Sequence, residues 1–89
     1  MVYVDHMRAR YGRMVMCHML ADNSEELLTM VDRIGVSRKW IQKSGTPHEH
    51  FDISMAKRRL AVAAGAREIT RRDLGLLLRR RAERLRDTV

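Results

Sequence analysis

Residues 14–35 read MVMCHMLADNSEELLTMVDRIG, and this stretch decides the fold. Its first part, Met14 to Ala21, is an apolar run broken only by His18, of a length that suits a buried strand. Asp22, Asn23 and Ser24 then interrupt the run. Asn23 followed three residues later by Glu26 matches a capping box, with Asn as the capping residue. Leu27, Met30, Val31 and Ile34 fall on one face at helical spacing, and Gly35 can take the left-handed conformation that ends a helix. A strand feeding an amphipathic helix is therefore the predicted centre of the domain.

Reading outward, MVYVDHM (residues 1–7) is a β-branched and aromatic run that predicts a first strand. It is joined to the second through RARYGR (residues 8–13), with Gly12 as the turn former, so the two runs are expected to make a hairpin. Downstream, VSRKWIQK (residues 36–43) reads as a third strand or extended edge, and SGTPHEH (residues 44–50) as a loop. Phe51 to Ile53 is a short apolar strand. Ser54 caps a second helix that runs to about Ala64, with Ala56, Leu60, Ala63 and Ala64 as a narrow packing face and Gly65 as its end. Arg67 to Ile69 reads as another short strand. Thr70 with Asp73 caps a last helix carrying Leu74, Leu77, Leu78 and Leu85. The expectation is one α+β domain over residues 1–89: a small sheet of three to five short strands with about three helices packed on it, ending in an Arg-rich helix from about 70 to 87.

Composition narrows the function classes. A hydrophobic share of 45% over 89 residues is enough for one modest core and excludes a disordered chain. Aromatics make up only 4%, so seven Met with Leu, Val and Ala must fill the interior. Cys17 is the single cysteine, which excludes an internal disulfide and favours a reducing compartment. No apolar run reaches membrane-spanning length, and the first strand carries Asp5 where a signal peptide would be apolar, so a cytoplasmic location is expected. Eighteen Lys plus Arg against 11 Asp plus Glu give a net charge of +7, and only Lys39, Lys43 and Lys57 are lysines. Guanidinium groups suit bidentate contacts to phosphate, so the expected partner is nucleic acid or a nucleotide. An acidic protein is the alternative partner. A membrane surface ranks below both, because the basic last helix lacks bulky aromatic anchors.

Chemistry-bearing residues concentrate in HEHFDISMAKRR (residues 48–59). His50 and Asp52 are two apart and share one side of an extended segment. Ser54 opens a helix whose free N–H groups favour an anion, and Lys57 and Arg58 lie one turn in. With Arg8 and Arg13 of the N-terminal hairpin, these three form the candidate phosphate-binding set. His50 and His18 are candidate acid and base toward a phosphate ester, with Asp52 or Asp5 orienting an imidazole. Arg71, Arg72, Arg79, Arg80 and Arg84 of the last helix are candidate nucleic-acid contacts. No cofactor is expected. A divalent metal held by His48 and His50 with a carboxylate such as Asp5 or Asp52 stays open as a lesser alternative. Each group also has a plain structural explanation: a helix cap, a satisfied core histidine, a solvated charged face.

The pattern Tyr3-Val4-Asp5, then GRMVMCHMLAD (residues 12–22), then the spaced residues from Glu26 to Gln42 and from His50 to Thr70, resembles a small bacterial and phage family, domain of unknown function 4031. The resemblance spans about residues 2–70 and implies no particular reaction or ligand. It implies a set of polar residues that a fold alone does not require: Asp5, Arg8, Arg13, His18, Trp40, His50, Asp52, Ser54, Lys57 and Arg58. The chain departs from the family pattern in the longer loop SGTPHEH and in the Arg-rich tail. Three functional readings follow: a small basic module binding a phosphate-bearing ligand, a phosphate-ester hydrolase using His and Asp, and a phage-type regulator docking on an acidic host protein.

Overall fold

In the computed structural model, which describes residues 1–87, strand β3 (Met14–Ala21) is the hub of a five-stranded mixed sheet. Positions 88 and 89 of the expected domain lie outside the described residues. Along one edge of β3 run β1 (Val2–Val4) and β2 (Ala9–Tyr11), end to end and antiparallel to it. Along the other edge runs β4 (Phe51–Ser54), so Met16 faces both Ala9 and Ser54, and Met19 faces both Val4 and Phe51. The short β5 (Arg67–Glu68) lies parallel to β1. The expected α+β class holds, with helices on both faces of the sheet.

Side-chain alternation along β3 sorts its residues between two cores. Cys17, Met19 and Ala21 point to one face, where they meet Val4, Phe51 and Ile53 and the apolar stripe of α1 (Ser24–Ile34). Leu20 points to the other face, with Tyr3, Ile69 and Leu77, Leu74 and Leu78 of α3 (Arg71–Asp87). His18 has the parity of Leu20 and so stands on the α3 side.

Local chemistry explains the helix ends. Asn23 accepts from the Glu26 N–H at 2.9 Å and its amide donates to the Glu26 carboxylate at 2.8 Å, closing the α1 box. Gly35, at φ 78°, turns the chain out of α1. Ser54 caps α2 (Met55–Ala63), and Thr70 and Asp73 cap α3 reciprocally.

Two expectations need correction. Residues 36–43 form no strand: Ser37 starts a 3-10 turn over Arg38–Trp40, and only Gln42 pairs, with His50. The apolar residues there, Val36, Trp40 and Ile41, lack the alternation that a half-buried strand needs. Helix α2 also packs through a different face. Leu60 is half exposed, and Ala61 is the helix's buried residue. The inward face is Ser54, Lys57, Arg58 and Ala61, because Lys57 donates to the Ile34 carbonyl (2.8 Å) and Arg58 to the Asp5 carbonyl (3.1 Å). Apolar periodicity alone misses a face built from cations that reach backbone carbonyls.

Candidate metal centre

The β3–β4 register sets His18 directly opposite Asp52. His50, two residues before Asp52, projects from the same face of β4. The result is a three-residue cluster on the α3 side of the sheet, at the margin of the second core. His18 Nε2 lies 3.7 Å and His50 Nε2 3.5 Å from the same oxygen, Asp52 Oδ1. One ligand atom from each residue fits within a 4.8 Å span, and the two rings meet edge to face with centroids 5.1 Å apart. All three residues are partly buried.

The outer nitrogens of both rings are held. His18 Nδ1 is 2.8 Å from Asp5 Oδ2. His50 Nδ1 is 2.6 Å from the His48 carbonyl, which can only accept, so Nδ1 carries the proton. The Asp5 carboxylate imposes the same tautomer on His18. With Nδ1 so engaged, Nε2 is the ring atom that each histidine turns toward Asp52. Asp52 Oδ1 is buried and has no hydrogen-bond partner among the described residues, while Oδ2 accepts from Gln42 Nε2 at 2.6 Å. Three potential ligand atoms thus converge around one unpartnered carboxylate oxygen, an arrangement that a cation would relieve. Around a tetrahedral zinc at about 2.0–2.1 Å, ligand atoms sit roughly 3.3 Å apart, near the 3.7 and 3.5 Å that separate the two Nε2 atoms from Asp52 Oδ1. Imidazole rings anchored by a carboxylate or a backbone carbonyl are the usual outer support of such ligands.

Asp5 reaches His18 through a local irregularity. Asp5 N donates to the His18 carbonyl at 3.1 Å, yet Ala9 pairs with Met16. Four steps along the β1–β2 line therefore match two along β3. The extra residues loop out, and the Asp5 carboxylate takes over the vacated pairing by accepting from the backbone N–H of His18 (2.9 Å) and of Met7 (3.2 Å). Asp5 is only 4% exposed.

The structure distributes the other candidates differently. His18, His50, Asp52 and Asp5 come together. His48 serves through its backbone and stands outside the cluster. Ser54 Oγ is occupied by the Lys57 N–H as a cap, and Lys57 by the end of α1. Arg58 is bound to Asp5, Glu68 (2.9 Å) and His6 (3.4 Å). Arg8 is exposed in the loop between β1 and β2, and Arg13 sits in the hairpin turn, five residues along β3 from His18, or roughly 17 Å at strand rise. Cys17 faces the other core, where burial, and then the Asp5 charge, push its thiol up to about 11. Arg71, Arg72, Arg79 and Arg80 are exposed on α3, whereas Arg84 donates to the Asp22 carbonyl at 3.1 Å.

Several contributors escape sequence reasoning. Gln42 orients Asp52 from a segment read as a strand. Glu49, 2% exposed, accepts from Ser24 Oγ (2.6 Å) and the Gly45 N–H (2.9 Å), and its carbonyl accepts from Arg81 (3.1 Å). These bonds clamp the loop before β4 and so fix His50. Arg71 lines a cavity of about 270 Å³ with Asp5, His6, Met7, His18 and Leu74. Of these neighbours of His18, Asp5 carries a signal in the sequence through its charge inside an apolar strand, and Arg71 through its place in the Arg-rich last helix.

No helix among the described residues is long and apolar enough to cross a membrane. No curated protein and no solved structure matches the chain. A family model does match, over residues 2–81, which takes in every member of the cluster and extends well into α3. The chain belongs to the family described as Protein of unknown function (DUF4031).

Proposed function

We propose that this protein is a divalent-metal enzyme that hydrolyses phosphate esters, with His18 Nε2, His50 Nε2 and the Asp52 carboxylate as the metal ligands. The observation that carries the reading is the approach of two imidazole nitrogens with fixed tautomers to one buried, unpartnered carboxylate oxygen. Two imidazoles with one carboxylate suit zinc, manganese, iron or cobalt better than magnesium or calcium, which favour all-oxygen sites. When bound, such an ion with three protein ligands keeps a position for water and lowers its pKa, supplying hydroxide at neutral pH. Hydrolysis then joins the water oxygen to phosphorus, breaks the ester P–O bond and delivers a proton to the departing oxygen. Asp5 and the His48 carbonyl act as positioning groups by aiming the two rings. The net charge of +7 supports an anionic substrate.

Isothermal titration with zinc and with manganese tests the ligand set. One ion per chain is expected, with binding lost in Asp52→Asn and affinity reduced at least tenfold in His18→Ala. The metal-loaded protein should then hydrolyse bis(p-nitrophenyl) phosphate, and Asp52→Asn should not. Absence of stoichiometric binding by either metal sinks the proposal. In that case the net charge favours a second reading, a module that binds a phosphate-bearing ligand without turnover.

A further inference from the structure

Resting on the metal reading, the geometry points to a single nucleic-acid strand as the substrate, held across the N-terminal half of α3 with Arg71 anchoring the phosphate nearest the metal. The link is the cavity beside the cluster. Its wall contains His18, whose other ring edge faces Asp52, and Arg71, the first residue of α3. Among the described residues Arg71 makes no hydrogen bond or ion pair, unlike Arg58, Arg81 and Arg84, which are tied to backbone carbonyls. A volume of about 270 Å³ suits about one nucleotide unit, which an unpaired strand can present. Leu74 and Met7 supply the apolar part of the wall, against which a sugar or base can rest.

Beyond Arg71 the same helix continues the positive surface outward. Arg72, Arg79 and Arg86 recur every two helical turns on the exposed face, a repeat of about 10.5 Å. Among the described residues none of the three is hydrogen-bonded or within ion-pairing distance of an acid. A monophosphate would use Arg71 alone and leave this row idle. A strand engages both, because its neighbouring phosphates must pass over α3 once one of them sits in the cavity. Guanidinium groups that make no internal hydrogen bond give up little within the protein when they turn to phosphate oxygens.

The test is fluorescence anisotropy of a labelled oligothymidylate of about twelve nucleotides, a length within ordinary single-strand site sizes. Zinc-loaded protein is titrated at several salt concentrations, with thymidine 5′-monophosphate as competitor. The oligonucleotide is expected to bind at least tenfold more tightly than the mononucleotide. Arg71→Ala should weaken both ligands and raise KM for cleavage of the strand, and Arg71→Lys should recover part of the loss. The double variant Arg72→Ala/Arg79→Ala should weaken only the oligonucleotide and flatten its log–log salt slope by about 1.4, the loss of two single-strand contacts. Equal affinity for the two ligands, or an unchanged constant in Arg71→Ala, overturns the inference. Zinc binding is measured separately, so the two ideas fail apart. Zinc bound with no oligonucleotide held defeats the substrate assignment. An oligonucleotide held through Arg71 with no zinc bound defeats the metal reading and leaves the strand-binding surface standing.

Discussion

Asp52 Oδ1 is buried and unpartnered, a costly state for a carboxylate oxygen. Without metal that oxygen costs stability, and in the proposed centre it would be a ligand. Asp52→Asn should therefore leave the melting temperature of the metal-free protein unchanged or raise it, while abolishing zinc affinity. A marked loss of metal-free stability in differential scanning calorimetry would contradict this account of the oxygen. Asp5→Asn keeps the shape and an acceptor for the His18 N–H but removes the charge that aims the ring. Zinc affinity should fall about 10–100-fold, the usual effect of losing an outer-shell partner, and an unchanged titration would show that Asp5 does not position His18. The neighbouring thiol behaves oppositely to a nucleophile. Cys17 is fully buried and its pKa is raised to about 11, so at neutral pH it stays protonated. Iodoacetamide should leave it unmodified in the native protein and alkylate it fully in denaturant, as mass spectrometry would report. At this scale much of the site was legible. His18 and Asp52 announce themselves as polar residues in apolar strands, and His50 by sharing one side of an extended segment with Asp52. The sequence could not disclose that His18 and Asp52 are cross-strand neighbours, because pairing register is a long-range property. For the same reason Lys57 and Arg58 read as free cations when their partners, the carbonyls of Ile34 and Asp5, are distant in the chain.

Elements turn those residues into a site through register. A one-residue slip of β4 would send Phe51 and Ile53 to the α3 side and bury His50 and Asp52 in the other core, so the apolar pair holds the polar pair in place. The helices with strong end signals, α1 and α3, follow from sequence because their caps are local. The segment before β4 does not, because Ser24 of α1 and Arg81 of α3 fix it through its own Glu49. The α3 cap makes a pH-dependent prediction. The Thr70 backbone N–H, then its hydroxyl contact, hold the Asp73 carboxyl below the usual carboxylate range. A carboxyl depressed on folding adds stability that is fully present above its unfolded pKa and is lost as pH falls through its folded one. Thr70→Ala removes the side-chain half of the cap and should cost about 1 kcal/mol at neutral pH. That difference should shrink once Asp73 is protonated in strong acid. Urea melts at neutral pH and below the carboxylate range check it, and a penalty that does not change with pH would mean that the Thr70 hydroxyl, and not the charged pair, carries the cap.

At the scale of the whole molecule, the candidate centre draws on three strands that are far apart in sequence. Asp5 directly follows β1, His18 lies on β3, and His50 and Asp52 belong to the β4 region. A cation held there would cross-link β3 to β4 and, through Asp5, fix β1 as well. Unfolding separates these groups, so the folded state should bind metal far better than the unfolded chain, and the binding energy becomes folding energy. At a free zinc concentration one hundred times Kd the gain is about 2.7 kcal/mol. For a domain of this size that corresponds to a rise of roughly 10–20 °C in melting temperature. The rise should grow with the logarithm of zinc concentration, vanish with a chelator and be absent in Asp52→Asn. Arg13→Ala, at the remote hairpin turn, should retain all of it, which separates ligation at the cluster from general effects of a divalent salt on a basic protein. A rise that survives in Asp52→Asn would place the ion elsewhere on the molecule, and no rise in the parent protein would leave the convergence of His18, His50 and Asp52 without a metal to explain it.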